Sequence, residues 1–263
     1  MPELPEVETY ISAVKPHLIG RRIEQIEVFW GRTLSDPNSL VGDLPGRTIN
    51  SITRRGKYMR FDLGNSFELA VHLGMSGRVD YVDNIEVHKH ERARVQLIDG
   101  GVFRFIDPRK FGRLHLIKQP EAFFSRLGPE PLDGELTAEW LSRCFHKRKR
   151  AIKPLLMDQA LVAGIGNIYA DEALHRAAIL PTRPGGTLTM SELERLVDAI
   201  RHVLLKAIEY GGSSIDSAYL GGQMQDEFVV YQRTNEPCHG CGTPIERIVL
   251  NQRSAHYCPS CQR

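Results

Sequence analysis

Residues 4–18 place Leu4, Val7, Ile11, Val14 and Leu18 on one face at helical spacing, and Pro5 falls where a first turn tolerates it. The period then changes to two. Ile26, Val28 and Trp30 alternate with polar neighbours, as do Met59, Phe61 and Leu63, then Phe67, Leu69, Val71 and Leu73, then Val95 and Leu97, and finally Phe103 and Phe105. Glycine-containing breaks at Leu63-Gly64-Asn65 and Asp99-Gly100-Gly101 separate these runs. Short strands at this spacing predict an antiparallel sandwich or barrel with one flanking helix. Near residue 130 an acidic stretch carries Gly128-Pro129-Glu130-Pro131 and Gly134, which predicts a domain boundary. Beyond it the period is helical again. Thr189-x-x-Glu192 reads as a capping box ahead of Leu193, Leu196, Val197, Ile200, Val203, Leu204 and Ile208, and Gly211-Gly212 ends that helix. The expected class is therefore α+β, a β-rich first half followed by helices and a cysteine-rich tail.

Composition narrows the picture. The chain has 263 residues, 41% of them hydrophobic, enough for a packed core and too apolar for intrinsic disorder. No apolar run approaches the roughly 20 residues that a membrane span needs. The start, MPELPEVE, is acidic and lacks a secretion signal, so a cytoplasmic protein is expected. Charge is nearly balanced, 34 basic against 32 acidic residues, so its distribution matters more than its sum. Between 143 and 153 lie Arg143, Lys147, Arg148, Lys149, Arg150 and Lys153 with no acid among them, which suits a polyanion. Next come Gly164-Ile165-Gly166-Asn167, a glycine turn in which Asn167 reads as the N-cap of a new helix and the free N–H groups offer a phosphate site.

Of five cysteines, Cys144 stands alone and reads as a small structural hydrophobe. The other four form Cys238-x-x-Cys241 and Cys258-x-x-Cys261, separated by 16 residues. That is zinc-ribbon spacing, and four thiolates close a tetrahedral shell around one structural Zn2+. Between the pairs, Asn251-Gln252-Arg253-Ser254 reads as a polar hairpin tip that presents Arg253, a candidate phosphate contact. At the other end, removal of Met1 would leave Pro2 with a secondary amine. An α-amine titrates near 7.7–8.0, so about half or less is neutral at physiological pH and able to attack an electrophilic carbon. Glu3 and Glu6 lie beside it as candidate acids. Lys57 falls in phase with the apolar face of its strand, a costly place for an amine that has no partner or function.

Taken together, PELPEVET at the start, RRGKY around Lys57, HLGMSGR around Met75, DPRKFG around Arg109, IKPLLMDQ, GIGNIYADEAL and the terminal ribbon with QR before its third cysteine resemble the formamidopyrimidine-DNA glycosylase family over the whole chain. The related endonuclease VIII branch carries Gly where this chain has Leu4, which favours the purine-excising branch. The resemblance implies a catalytic β-sandwich domain over 1–130, a helix-two-turns-helix DNA-binding domain over 131–233 and a zinc-finger β-hairpin over 234–263. It implies base excision repair of damaged double-stranded DNA by a monomer with glycosylase and AP lyase activities. Pro2 would be the nucleophile that forms a Schiff base with C1′, Glu3 the acid at the sugar ring oxygen, Glu6 a site-organising carboxylate and Lys57 a contact to the phosphate flanking the lesion. Asn167 and Arg253 would grip the lesion phosphates, with Lys153 a further phosphate contact. Met75, Arg109 and Phe111 would fill the space left by the flipped nucleotide, Arg109 facing the orphaned cytosine. The segment 213–231 matches the loop that covers a flipped 8-oxoguanine and is shorter here. Two rival readings remain: a glycosylase for oxidised pyrimidines, and a non-catalytic DNA binder built on the ribbon and the basic run.

Overall fold

The computed structural model describes residues 1–35, 41–83, 86–214 and 221–263, and the architecture is the α+β one expected. The chain forms two compact units. The first comprises Met1–Arg126 with the returning segment Gly211–Gly222, and the second Leu127–Tyr210 with Gln223–Arg263.

In the first unit, helix α1 (Leu4–Leu18) precedes eight strands: β1 (Ile23–Val28), β2 (Ser51–Arg55), β3 (Tyr58–Asp62), β4 (Glu68–His72), β5 (Arg78–Val82), β6 (Glu91–Leu97), β7 (Val102–Ile106) and β8 (Arg113–Ile117). They form two antiparallel four-stranded sheets, ordered β1-β6-β7-β5 and β2-β3-β4-β8. The alternation read from the sequence supplies the filling. Met59, Phe61, Leu69, Val71, Val95, Leu97, Phe103 and Phe105 share one core with Val7, Ile11, Val14 and Leu18 of α1. Phe61 and Phe103, on different sheets, meet with ring centroids 5.1 Å apart. Trp30 lies beyond the end of β1. A short helix α2 (Pro120–Phe124) follows β8.

The second unit contains α3 (Ala138–Phe145), α4 (Ile152–Leu156), α5 (Asn167–Arg176) and α6 (Met190–Glu209), then the hairpin β9 (Glu246–Leu250) and β10 (Arg253–Tyr257). The expected capping box starts α6: the Thr189 hydroxyl accepts from the Glu192 N–H at 3.3 Å, and the Glu192 carboxylate accepts from the Thr189 N–H at 2.8 Å. The periodic residues of α6 are buried except Ile208, which is half-buried. Gly166, not Asn167, caps α5; Asn167 has helical geometry and is the first residue of that helix, because the extended backbone is Gly166's (φ −131°, ψ −152°). Among the described residues no helix is long and apolar enough to cross a membrane.

Candidate functional site

The first unit folds its N-terminus into a buried acidic corner. Pro2, Glu3 and Glu6 are all buried. Glu3 precedes α1 as its N-cap, in a reciprocal capping box with Glu6. The Glu6 carboxylate accepts the Glu3 N–H through one oxygen at 2.8 Å and the Ser213 N–H through the other at 2.8 Å. Glu6 therefore ties the start of the chain to the returning segment. That approach needs glycines. A Cβ on Gly212 would stand 3.0 Å from the Glu6 side chain, and one on Gly222 would stand 2.4 Å from the carbonyls of Gly211 and Gly212. Ser214 donates its hydroxyl to the Gly222 carbonyl at 2.7 Å, closing the base of the loop whose sequence resembles the lesion cover. Residues 215–220 of that loop lie outside the described residues.

Lys57 sits in the turn between β2 and β3 and is only 6% exposed. Its charge acts on His72 of β4, whose imidazole is pushed down to about 4, first by burial and then by the Lys57 ammonium. His72 is thus neutral near pH 7, and its Nδ1 accepts the Gly74 N–H at 3.1 Å.

Met75, Arg109 and Phe111, far apart in sequence, come together on two adjoining loops. Asp107, fully buried, is the reason. Its carboxylate accepts from the Ser76 hydroxyl at 2.6 Å, the Arg109 N–H at 3.2 Å and the Gly112 N–H at 2.8 Å. Gly74 (φ +65°) lets the two loops touch, since a Cβ there would stand 2.6 Å from the backbone of Phe111 and Gly112. Phe111 is 52% exposed, exposed Arg109 lies over its ring at 5.2 Å, and Met75 is half-buried.

The second unit presents a basic surface. Arg143, Lys147, Arg148, Lys149 and Arg150 are exposed. Exposed Arg253, at the start of β10, lines a cleft of about 180 Å3 with Arg150, Pro154 and Asn251. Residues Asn251 and Gln252 both adopt positive φ, 47° and 63°, as a tight two-residue hairpin requires. Asn167 donates through Nδ2 to Ser254 Oγ at 3.3 Å and to the Tyr231 hydroxyl at 3.5 Å. Lys153 departs from the rest of the run. Its side chain is 1% exposed, with Nζ 2.7 Å from Asp171 Oδ1 and a second bond to the Ser254 carbonyl.

Sulfurs of Cys238, Cys241, Cys258 and Cys261 all lie within 4.8 Å of one another. The sulfur–sulfur separations are 3.9 Å for Cys238–Cys261 and 3.5 Å for Cys241–Cys258. A tetrahedral ion with bonds of about 2.3 Å to sulfur needs edges of about 3.8 Å, so the donor set fits one closed four-thiolate metal site. Among the described residues, Val230, Cys238, Ile245 and Cys258, with Cys261 against them, form a small apolar cluster here.

Comparison with known proteins places these features. Residues 1–114 match the model of the formamidopyrimidine-DNA glycosylase N-terminal domain, 127–218 that of the formamidopyrimidine-DNA glycosylase H2TH domain, and 235–263 that of a zinc finger found in FPG and IleRS. The chain belongs to the formamidopyrimidine-DNA glycosylase family. A family member from Symbiobacterium thermophilum is 44% identical, matching 100% of this chain and 89% of its own. One from Geobacillus kaustophilus is 39% identical with 100% of both chains matched. Among solved structures, Lactococcus lactis Fpg in complex with abasic-site DNA aligns with TM-score 0.91 and 36% identity over 99% of both chains. A MutM complex with carbocyclic 8-oxo-G DNA aligns with TM-score 0.92 and 37% identity over 100% of both.

Several supporting residues of this family member carry little signal of their own in the sequence. Asp107 and His72 are two, and they stand inside DPRKFG and HLGMSGR beside Arg109 and Met75. Asp171 and Glu172 are two more. Glu172 accepts N–H groups from Val229, Val230 and Tyr231 at 2.8–3.2 Å, although burial raises its pKa. An acid inside GNIYADEAL is the signal that could have found them, because a helix face that is otherwise apolar has no reason to bury a carboxylate without donors.

Proposed function

We propose that this protein is a DNA glycosylase of base excision repair that excises oxidised purines, 8-oxoguanine and formamidopyrimidines, from duplex DNA and then cleaves the strand as an AP lyase. The observation that carries the reading is the buried corner of Pro2, Glu3 and Glu6, where the Glu6 carboxylate accepts the N–H of the peptide bond that joins Pro2 to Glu3. The relatives support the lesion class, since solved family members are complexes with abasic-site, 8-oxo-G and Fapy-dG DNA. Once Met1 is removed, the unprotonated Pro2 nitrogen attacks C1′. The N–C1′ bond forms as the glycosidic bond breaks; that electron pair leaves with the base, which takes up the proton lost from the Pro2 nitrogen. Glu3 donates a proton to O4′ as the sugar ring opens, giving an iminium. Loss of a C2′ proton expels the 3′ phosphate, and a second elimination expels the 5′ phosphate. Lys57 holds the phosphate beside the lesion. Met75 and Phe111 occupy the vacated stack, and Arg109 hydrogen-bonds the orphaned cytosine. In the second unit, Asn167 and Arg253 grip phosphates. The four cysteines hold Zn2+, which would stabilise the hairpin and take no part in the chemistry. The protein works as a monomer.

Borohydride tests this directly. Intact, Met-processed protein should be trapped on 8-oxoguanine duplex, and Pro2→Gly should abolish the trap. Peptide mapping of the adduct to any residue other than Pro2 would overturn the nucleophile. Faster excision of thymine glycol than of 8-oxoguanine would move the protein to the pyrimidine branch, and salt-dependent binding with no cleavage would make it a binder only.

A further inference from the structure

We propose that Asp171 is a positioning residue that locks the zinc hairpin onto the helical domain, and that Lys153 acts on DNA only through this lock. The inference rests on the reading that Asn167 and Arg253 grip DNA. Asp171 of α5 is 1% exposed and joins three elements of the second unit. Oδ1 stands 2.7 Å from Lys153 Nζ of α4. Oδ2 accepts the His256 backbone N–H at 2.9 Å and faces His256 Nδ1 at 3.1 Å, both on β10. Since a carboxylate only accepts, Nδ1 carries the imidazole proton.

What the lock fixes is the residue between the two phosphate grips. Lys153 Nζ also donates to the Ser254 carbonyl, and Ser254 Oγ accepts from Asn167 Nδ2 at 3.3 Å. Arg253 immediately precedes Ser254 and opens β10. Asn167 opens α5 and Asp171 lies one turn further along the same helix. The carboxylate thus sets the register between the helix that carries one grip and the strand that carries the other. The neighbouring carboxylate completes the arrangement: Glu172 binds the N–H groups of 229–231, and Tyr231 offers its hydroxyl to Asn167 at 3.5 Å. An ammonium that is 1% exposed, with a carboxylate and a carbonyl for partners, is placed to hold protein rather than phosphate.

The test measures affinity for a duplex carrying a tetrahydrofuran abasic-site analogue as a function of salt, using zinc-loaded full-length protein. Arg253→Ala should flatten the log–log salt slope by about one, the mark of a lost phosphate contact. Lys153→Met and Asp171→Asn should each weaken binding by about tenfold with the parental slope, and the double variant should weaken it no further than either alone, as members of one network do. Excision at saturating protein should stay near the parental rate, placing the defect in KM. The His256 Nδ1 proton resonance should shift in Asp171→Asn. If single removals of a buried charge prevent folding, Lys153→Met with Asp171→Leu removes both charges together, and the same slope and KM readings apply. A Lys153→Met slope that falls by about one, with Asp171→Asn binding as the parent does, would overturn the proposal. Unchanged binding in Asn167→Ala and Arg253→Ala would instead sink the reading of the grip on which it stands.

Discussion

The loops that carry Met75, Arg109 and Phe111 and the hairpin that carries Arg253 solve one problem in opposite ways. Each must hold exposed side chains at fixed positions. The first set hangs from a sandwich with an extensive apolar core, and a single carboxylate, Asp107, aligns it through two N–H groups and a hydroxyl. Among the described residues the apolar cluster at the hairpin is small, and the four-cysteine site and the buried Asp171 carboxylate supplement it. Where apolar burial already fixes the backbone, a charge only trims a loop. Where burial is scarce, metal and charge must hold the whole element.

The largest way to break this contrast is to remove the metal. Chelation, or Cys258→Ser, should unfold β9 and β10 and abolish specific DNA binding, because metal-linked folding energy in such modules is on the order of 10 kcal/mol. Hydrogen exchange should show protection lost over 246–257 and kept in the strands of the sandwich. Loss of protection in both would mean that the two supports are not independent.

Removing Asp107 comes next. Asp107→Ala leaves the buried Gly112 N–H without its acceptor and removes carboxylate hydrogen bonds to two part-buried donors, so a loss of about 3 kcal/mol is expected in urea unfolding. Asp107→Asn keeps one acceptor and should lose about 1–2 kcal/mol. Both should slow excision more than they weaken non-specific DNA binding, since the basic run of the second unit is untouched.

The same contrast explains what could be read from sequence. Helix α1 and the strands at Met59, Phe67, Val95 and Phe103 were legible because apolar burial imposes a period. Strands β2, β5 and β8 were not, since Ser51–Arg55, Arg78–Val82 and Arg113–Ile117 each bury only one or two of five residues and include arginines, so no apolar alternation stands out. The four clustered cysteines were legible because two Cys-x-x-Cys turns fix a spacing. Asp107, Asp171 and Glu172 were not, because each takes a donor from a segment whose proximity only the folded chain creates: the Ser76 hydroxyl for Asp107, the His256 N–H for Asp171 and the N–H groups of 229–231 for Glu172. Lys153 read as one more charge in a basic run; its burial follows from Asp171, which lies 18 positions further along the chain.

A third test uses pH. His72 and His115, cross-strand neighbours of Tyr58 or near it, are each pushed down to about 4, mainly by burial. The unfolded chain takes up protons near 6.5 while the folded one does not until about 4. Stability should therefore be full above 6.5, fall as pH drops through that window, and level off below it. For His72 alone the displacement corresponds to about 3 kcal/mol at most. His72→Gln should flatten this part of the acid limb in urea unfolding measured from pH 7 to 4. An unchanged limb would show that His72 is as solvated as an ordinary histidine.

The smallest expected effect probes an element of the second unit that does have a core. Helix α6 buries Leu193, Leu196, Val197, Ile200, Val203 and Leu204, so its cap should matter only locally. Thr189→Ala removes the hydroxyl that accepts from the Glu192 N–H and should cost about 1 kcal/mol. The Glu192 carboxylate is held down to about 2, chiefly by Arg183 and then by the Thr189 N–H and hydroxyl. Its contribution is present above 4.5 and is lost as pH falls from there toward 2, so Glu192→Gln should match the parent more closely at pH 3 than at pH 7. If Thr189→Ala instead released zinc or unfolded the hairpin, then apolar support and metal support would not be separable within the second unit. A cap loss confined to the first turn of α6, with thiolate-bound zinc retained, is the outcome that the division of labour requires.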